Sequence, residues 1–228
     1  MSQSSTQYCT LADLKESLQI EDSNDDTALQ AAILTASRQI DDYCQRFFYT
    51  EGTLLAPATK YYTAVNPWYV ETDDIVQLTE IACDPDFDQS YAQIWDLNTD
   101  VMYEPVNNPS RGWPWTKLLA IGSYVFPYFF PQTVRLKGIF GFPEVPYEVE
   151  MACKIQAARL FIRKQSPFGI AGSVELGTVR LNSRLDPDVE MLLKVYRKNK
   201  GLATNDKYKW CKRTIRKEFR NNYRYACL

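Results

Sequence analysis

Apolar side chains recur along this chain first at helical spacing, then at strand spacing, then at helical spacing again. Across residues 24–49, Leu29, Ile33, Ala36, Ile40, Tyr43, Cys44 and Phe47 return every three or four positions, which is one face of a helix. Asn24 is placed to cap that helix, Asp25 and Asp26 suit its positive end, and Gly52 and Pro57 close it. Ahead of it, residues 10–18 read as a short helix with Thr10 as N-cap and Asp13 three residues later. A second long helical pattern covers residues 146–165 and opens on Pro146, whose missing N–H costs nothing in a first turn. Val149, Ala152, Cys153, Ile155, Ala157, Leu160 and Phe161 cover more than half its circumference, so it is expected to lie centrally. Asp186 and Pro187 then open a third helix over residues 186–198, with Leu192, Leu193 and Tyr196 on one side.

Between these helices the period changes. Runs such as KYYTAV, DIVQLTEIAC, AQIWDL, KLLAIG and TVRLKGIF are short, apolar or alternating, and are separated by turn-rich stretches. Residues 58–143 are therefore expected to be β-rich, with Val76, Leu78, Ile81, Ile94, Trp95, Leu118, Val134 and Leu136 facing inwards. Residues 166–184 hold Gly169, Gly172 and Gly177 and little helical period, which predicts a loop or hairpin. The expected fold is α+β: a small α-helical bundle (long helix 24–49, helices 146–165 and 186–198) with an inserted β-rich segment and an extended C-terminal arm. Its parts are a helical body of residues 8–57 and 144–198, an insertion of residues 58–143, and an arm of residues 199–228.

Charge sets the arm apart. Residues 199–228 carry nine Lys and Arg against Asp206 and Glu218, a net +7. The whole chain of 228 residues is −2, so −9 remains on residues 1–198. Within the arm Cys211, Ile215, Phe219 and Tyr223 recur every four residues, an apolar stripe between basic flanks. A charge run of this sign grips DNA phosphates, lies on an anionic membrane, or docks on an acidic protein. The narrow apolar side disfavours the membrane. Phosphate binding does not call for Ile215 or Phe219, which favours a protein groove.

Composition narrows the function classes. The chain has no histidine, so Ser-His-Asp and Cys-His pairs and imidazole metal ligands are excluded, and the expectation is a protein that is not an enzyme and takes no cofactor. The six cysteines, Cys9, Cys44, Cys83, Cys153, Cys211 and Cys227, contain no C-x-x-C pair and are expected to be reduced and mostly buried. The first 20 residues lack the basic and apolar runs of a secretory leader, and the longest apolar-aromatic run, 124–131, is too short to span a bilayer. A soluble protein made in a cytoplasm is expected, with no membrane contact. An aromatic share of 14% suits broad protein interfaces as well as a generous core.

The remaining motif-like stretches read more plainly. Asp84, Asp86 and Asp88 begin like a calcium loop, but position six is Gln89 and position twelve is Trp95, where glycine and a bidentate glutamate are needed, so a solvated acidic turn is expected. Trp113 and Trp115 have only Arg111 and Lys117 nearby, which favours packing in the β segment or against a neighbour over base stacking. Catalysis by carboxylates would fall to Glu144, Glu148 and Glu150 or to the same three aspartates, which look like helix-start charges and a surface turn.

Two blocks resemble the head–tail connector, or adaptor, proteins of tailed bacteriophages. Residues 8–48, YCTLADLKESLQIEDSNDDTALQAAILTASRQIDDYCQRFF, give a short helix, an acidic loop and a long helix ending in an aromatic pair. Residues 146–197 supply the more specific SPFGIAGSVELG and LDPDVEMLL. The resemblance implies a ring of identical subunits, about twelve, beneath the portal protein, continuing the DNA channel towards tail or neck proteins. The location implied is the virion neck, after synthesis in the bacterial host cytoplasm. It also implies that the C-terminal segment embraces the portal, here through Trp210, Lys212, Arg213, Ile215, Arg216, Lys217, Phe219, Arg220 and Tyr223. The loop between the last two body helices, with Ser166, Pro167, Phe168, Gly169, Gly172, Ser173 and Gly177, would face a neighbouring subunit or the channel. The alternative is a nucleic-acid-binding module that uses the basic tail.

Overall fold

The computed structural model describes residues 6–165, 170–171, 179–180 and 185–198. By its contacts the chain divides into Met1–Arg197 and Lys198–Leu228, and every element named here belongs to the first unit.

Helix α1, Leu11–Leu18, starts as its sequence dictates: the Thr10 hydroxyl accepts the Asp13 N–H at 3.1 Å, and Gln19 ends it in the left-handed conformation. Helix α2, Asp26–Cys44, is shorter than the expected 24–49. Asp25 takes the N-cap position without a side-chain bond, and Gln45 at φ 56° turns the chain out of the helix. That early stop releases Phe48 from the helical surface and places it, fully buried, edge-on to Tyr8 and beside Phe142 and Tyr196. Helix α3, Tyr147–Gln165, is the central helix, with Val149, Ala152, Cys153 and Ala157 buried against α2. Helix α4, Pro187–Leu193, is capped by the Asp186 carboxylate and passes into a single 3-10 turn at Lys194–Tyr196 instead of continuing to 198.

The β segment forms a six-stranded antiparallel sheet: β1 Ala58–Tyr62, β2 Tyr69–Cys83, β3 Gln93–Trp95, β4 Val101–Glu104, β5 Trp115–Ala120 and β6 Val134–Phe140. The order is β1-β6-β2-β5-β4. The long β2 pairs with β6 along one edge, and on its other edge with β5 near its start and β3 near its end. A second pair, β7 Ile170–Ala171 and β8 Val179–Arg180, lies within the glycine-bearing segment.

Two apolar clusters result. One joins α1–α4 through Leu14, Leu29, Ile33, Ile40, Phe48 and Leu193, and the other lines the sheet through Val70, Ile75, Ile81, Leu118, Val134 and Leu136. Two inward assignments from sequence are corrected. Ile94 is 64% exposed, because the pleat of β3 turns its neighbour Trp95 inwards. Val76 is half-buried, because the β2–β6 register shifts between Ile75 and Gln77 and hands the core position to Ile75.

Helical layer and sheet are stitched at one place. Glu51 and Phe140 exchange backbone bonds, and the Gly141 N–H donates to the Asp74 carbonyl at 2.7 Å. Gly141 sits at φ +103°, and a Cβ there would lie 1.9 Å from the Tyr49 carbonyl oxygen, so only glycine fits. Arg46 and Asp74, both nearly buried, face each other at 3.6 Å, with the guanidinium over the rings of Trp113 and Phe142. Trp113 stacks on Tyr196 at 4.9 Å and 3°, so this tryptophan of the β segment packs on the helical layer.

Candidate interaction surfaces

The N-terminal segment is locked to the two long helices by a buried polar knot. The Tyr8 hydroxyl donates to the Asp41 carboxylate and accepts the Phe48 N–H at 3.0 Å, while the Tyr8 N–H donates to the Ser37 hydroxyl at 3.2 Å. Arg38 lies 3.1 Å from the other Asp41 oxygen. Burial outweighs the Tyr8 hydrogen bond and the Arg38 charge, so the Asp41 carboxyl is pushed up to about 6. Burial likewise raises Tyr8, and then the Asp41 contact adds to it. Cys9 and Cys153 meet with sulfurs 3.4 Å apart; the thiol hydrogen bond between them raises Cys9 and lowers Cys153. Cys9, Cys44, Cys83 and Cys153 are all free and buried, as the sequence leads one to expect, and burial pushes Cys44 and Cys83 up to about 12. These contacts tie the N-terminal segment to the helical layer.

The end of the sheet remote from the helices is of another kind. Loops 63–68, 84–92 and 121–133 converge there: the Gln132 N–H donates to the Thr63 hydroxyl, the Tyr91 hydroxyl donates to the Gln132 carbonyl, and Phe87 stacks on Phe130 at 4.3 Å. Trp68 is 65% and Phe129 59% exposed, with Val65, Phe87, Val125 and Phe130 also open to solvent. Clustered exposed aromatics of this kind mark contact surfaces. Asp84 is buried at the base of this end and accepts the Gln89 N–H at 2.8 Å, which corrects the expectation of a wholly solvated turn. Asp86 and Asp88 are exposed.

A second surface lies on the helices. One face of α3, with Met151, Ile155, Ala158 and Ile162, floors an open groove of about 700 Å3 between the end of α1 at Leu18 and the start of α4 at Pro187. Lys154 and Arg159 stand along it, paired to Glu150 at 2.7 Å and Asp186 at 3.4 Å.

The site residues expected from sequence fall elsewhere. The arm residues Trp210, Lys212, Arg213, Ile215, Arg216, Lys217, Phe219, Arg220 and Tyr223 lie outside the described residues, as do Ser166, Pro167, Phe168, Gly169, Gly172, Ser173 and Gly177. Glu148 and Glu150 are helix-start charges, Glu148 accepting the Tyr196 hydroxyl at 2.9 Å. Sequence reasoning passed over the aromatic end of the sheet, although one signal was present: 121–133, IGSYVFPYFFPQT, has five aromatics and no charge. Among the described residues no group of His, Cys, Asp and Glu could hold a metal ion, and no helix is long and apolar enough to cross a membrane.

Comparison with known proteins bears on the first block. Residues 8–74 match the family described as phage gp6-like head-tail connector protein. No curated protein matches the chain. Among solved structures, a chain from the neck of an empty GTA particle, computed with C6 symmetry, has the same fold at a TM-score of 0.52 and 11% identity, over 90% of this chain and 96% of that one. A chain from the neck of a native GTA particle, computed with C12 symmetry, aligns over the same shares at 13% identity with a TM-score of 0.49.

Proposed function

We propose that this chain, whose residues 8–74 match the phage gp6-like head-tail connector family, is a structural neck protein of a tailed-phage particle. The observation that carries the reading is the match over the region that builds α1, α2 and the Arg46–Asp74 junction. The likeness in fold to a chain from a particle neck supports it. Identical subunits, about twelve, form a ring beneath the portal protein, extend the DNA channel, and join the DNA-filled capsid to tail or neck proteins below. The chain works in the virion neck after synthesis in the host cytoplasm, and acts through contacts and not through chemistry. A histidine-free chain fits that role, because a ring subunit needs wide surfaces and no acid–base group.

The arm, residues 199–228, is the portal-docking element in this reading. Its +7 charge meets acidic portal surface, with Trp210, Ile215, Phe219 and Tyr223 as apolar anchors. Both apolar clusters are built from residues up to Tyr196, so a chain ending at residue 198 keeps its whole described core. The truncated chain is expected to melt within a few degrees of the full one and to leave DNA-filled heads without necks. Normal attachment of the truncated chain to heads would refute the docking arm.

The arm's charge also favours a second reading, a nucleic-acid-binding module. That reading requires the free chain to bind duplex DNA with an affinity that falls steeply with salt.

A further inference from the structure

We infer that the aromatic end of the sheet in one subunit seats in the α1–α3–α4 groove of a second copy of this chain. The inference rests on the ring reading and names which two surfaces of the subunit meet.

The two surfaces are complementary in charge and polarity. Loops 63–68, 84–92 and 121–133 expose two carboxylates, Asp86 and Asp88, above the buried Asp84, and contain no lysine or arginine. The groove has an apolar floor and carries Lys154, Arg159 and, one turn on, the exposed Arg163 against their partners Glu150 and Asp186, a balance of +1. Two acidic ends would repel each other, so the sheet end is unsuited to a symmetric contact with its own copy. It suits a positively edged apolar recess, and this subunit offers one.

Size agrees with charge. The groove's volume of about 700 Å3 lies within the ~300–1,000 Å3 of recesses that enclose large organic groups. Trp68, Phe87, Phe129 and Phe130 are 65%, 43%, 59% and 41% exposed. At roughly 200 Å2 for a whole aromatic side chain, they would bury roughly 400 Å2, half of the ~800 Å2 per partner of a stable interface.

Symmetry completes the case. A contact between two different patches of the same subunit is heterologous, and repeated copies of it close into a ring when the rotation allows. Each subunit of such a ring gives its sheet end to one neighbour and its groove to another, whereas in a symmetric dimer both patches would meet the same partner.

The test uses the full-length chain with Phe129 replaced by the photo-crosslinker p-benzoylphenylalanine, irradiated at graded concentrations and mapped by peptide mass spectrometry. Cross-linked dimers joining position 129 to residues 151–162 of a second copy are expected, weakened at least tenfold by Trp68→Ser or by the groove-filling Ala158→Trp. Ile162→Asp, at the exposed side of the floor, serves if Ala158→Trp does not fold. Mixing Trp68→Ser with Ala158→Trp chains should restore one contact and stop at 1:1 pairs, because each retains one intact half. Cross-links confined to one chain, or reaching another face of the second copy, would overturn the assignment. Rings that form unchanged in both variants would overturn it while leaving the ring reading intact. A chain that never self-associates would overturn both.

Discussion

Asp41 shows how a single buried group can be read for both structure and pH response. It accepts from Tyr8 and faces Arg38, yet burial dominates and raises its carboxyl to about 6, against about 3.9 in an unfolded chain. Between those values the folded state holds a proton that the unfolded state has lost, so stability falls as pH rises from about 4 to about 6. Above about 6 the loss is complete, on the order of 3 kcal/mol. Glu80, whose pKa is lowered despite its burial by hydrogen bonds from Lys137 and Arg135, works in the opposite direction, losing stability as the solution is acidified. Asp41→Asn keeps an acceptor for Tyr8 and leaves Glu80 untouched. Urea midpoints of wild type and variant, measured from pH 4 to 7, should therefore diverge as pH rises, with the variant gaining relative stability. Parallel curves would show that Asp41 is already ionised at pH 4. Gly141 is the second residue with a definite consequence. At φ +103° and 1.9 Å from the Tyr49 carbonyl, a Cβ must push the helix–sheet crossover apart, and Gly141→Ala should cost roughly 2–4 kcal/mol in a thermal or urea melt.

Elements meet at the junction of Arg46, Asp74, Trp113 and Tyr196. Removing one partner of a nearly buried ion pair leaves the other charge in an apolar setting, which costs about 3–5 kcal/mol, while removing both is far milder. Arg46→Met is expected to lose about 3 kcal/mol or more, and adding Asp74→Leu should recover much of it. Additive losses in that double-mutant cycle would mean the two side chains are independent. Much at this scale was legible in the sequence: the Thr10 cap, the buried face of α3, and the inward Ile81, Leu118, Val134 and Leu136 all follow from period and capping chemistry. What was not legible came from long-range contacts. The α2 stop at Gln45 is set by Phe48 finding Tyr8, forty residues away, and the swap of Val76 for Ile75 by a register shift against β6. The stacking of Trp113 on Tyr196 joins positions 83 residues apart that no local pattern connects.

At the scale of the whole molecule, charge is segregated along the chain: −9 on residues 1–198 and +7 on residues 199–228. That asymmetry was fully legible, being a count, whereas the aromatic sheet end was not, because three loops far apart in sequence build it. The segregation bears directly on the proposed passage of DNA through a ring. A negatively charged wall repels phosphates and lets a duplex slide, whereas nine cations free to reach phosphates would hold it. If all nine arm cations neutralised phosphates, the slope of log affinity against log salt would approach about −8. A chain ending at residue 198 should therefore leave a duplex unbound in fluorescence anisotropy even at about 50 mM salt. The full chain should bind it weakly, with any affinity gone by about 200 mM. If the arm docks on the portal as proposed, the same cations are drawn to carboxylates, and a portal-bound ring should show less DNA affinity per subunit than the free chain. Tight binding of the full chain at 200 mM salt, undiminished on the portal, would make the arm a DNA-gripping element and shift the balance to the nucleic-acid reading.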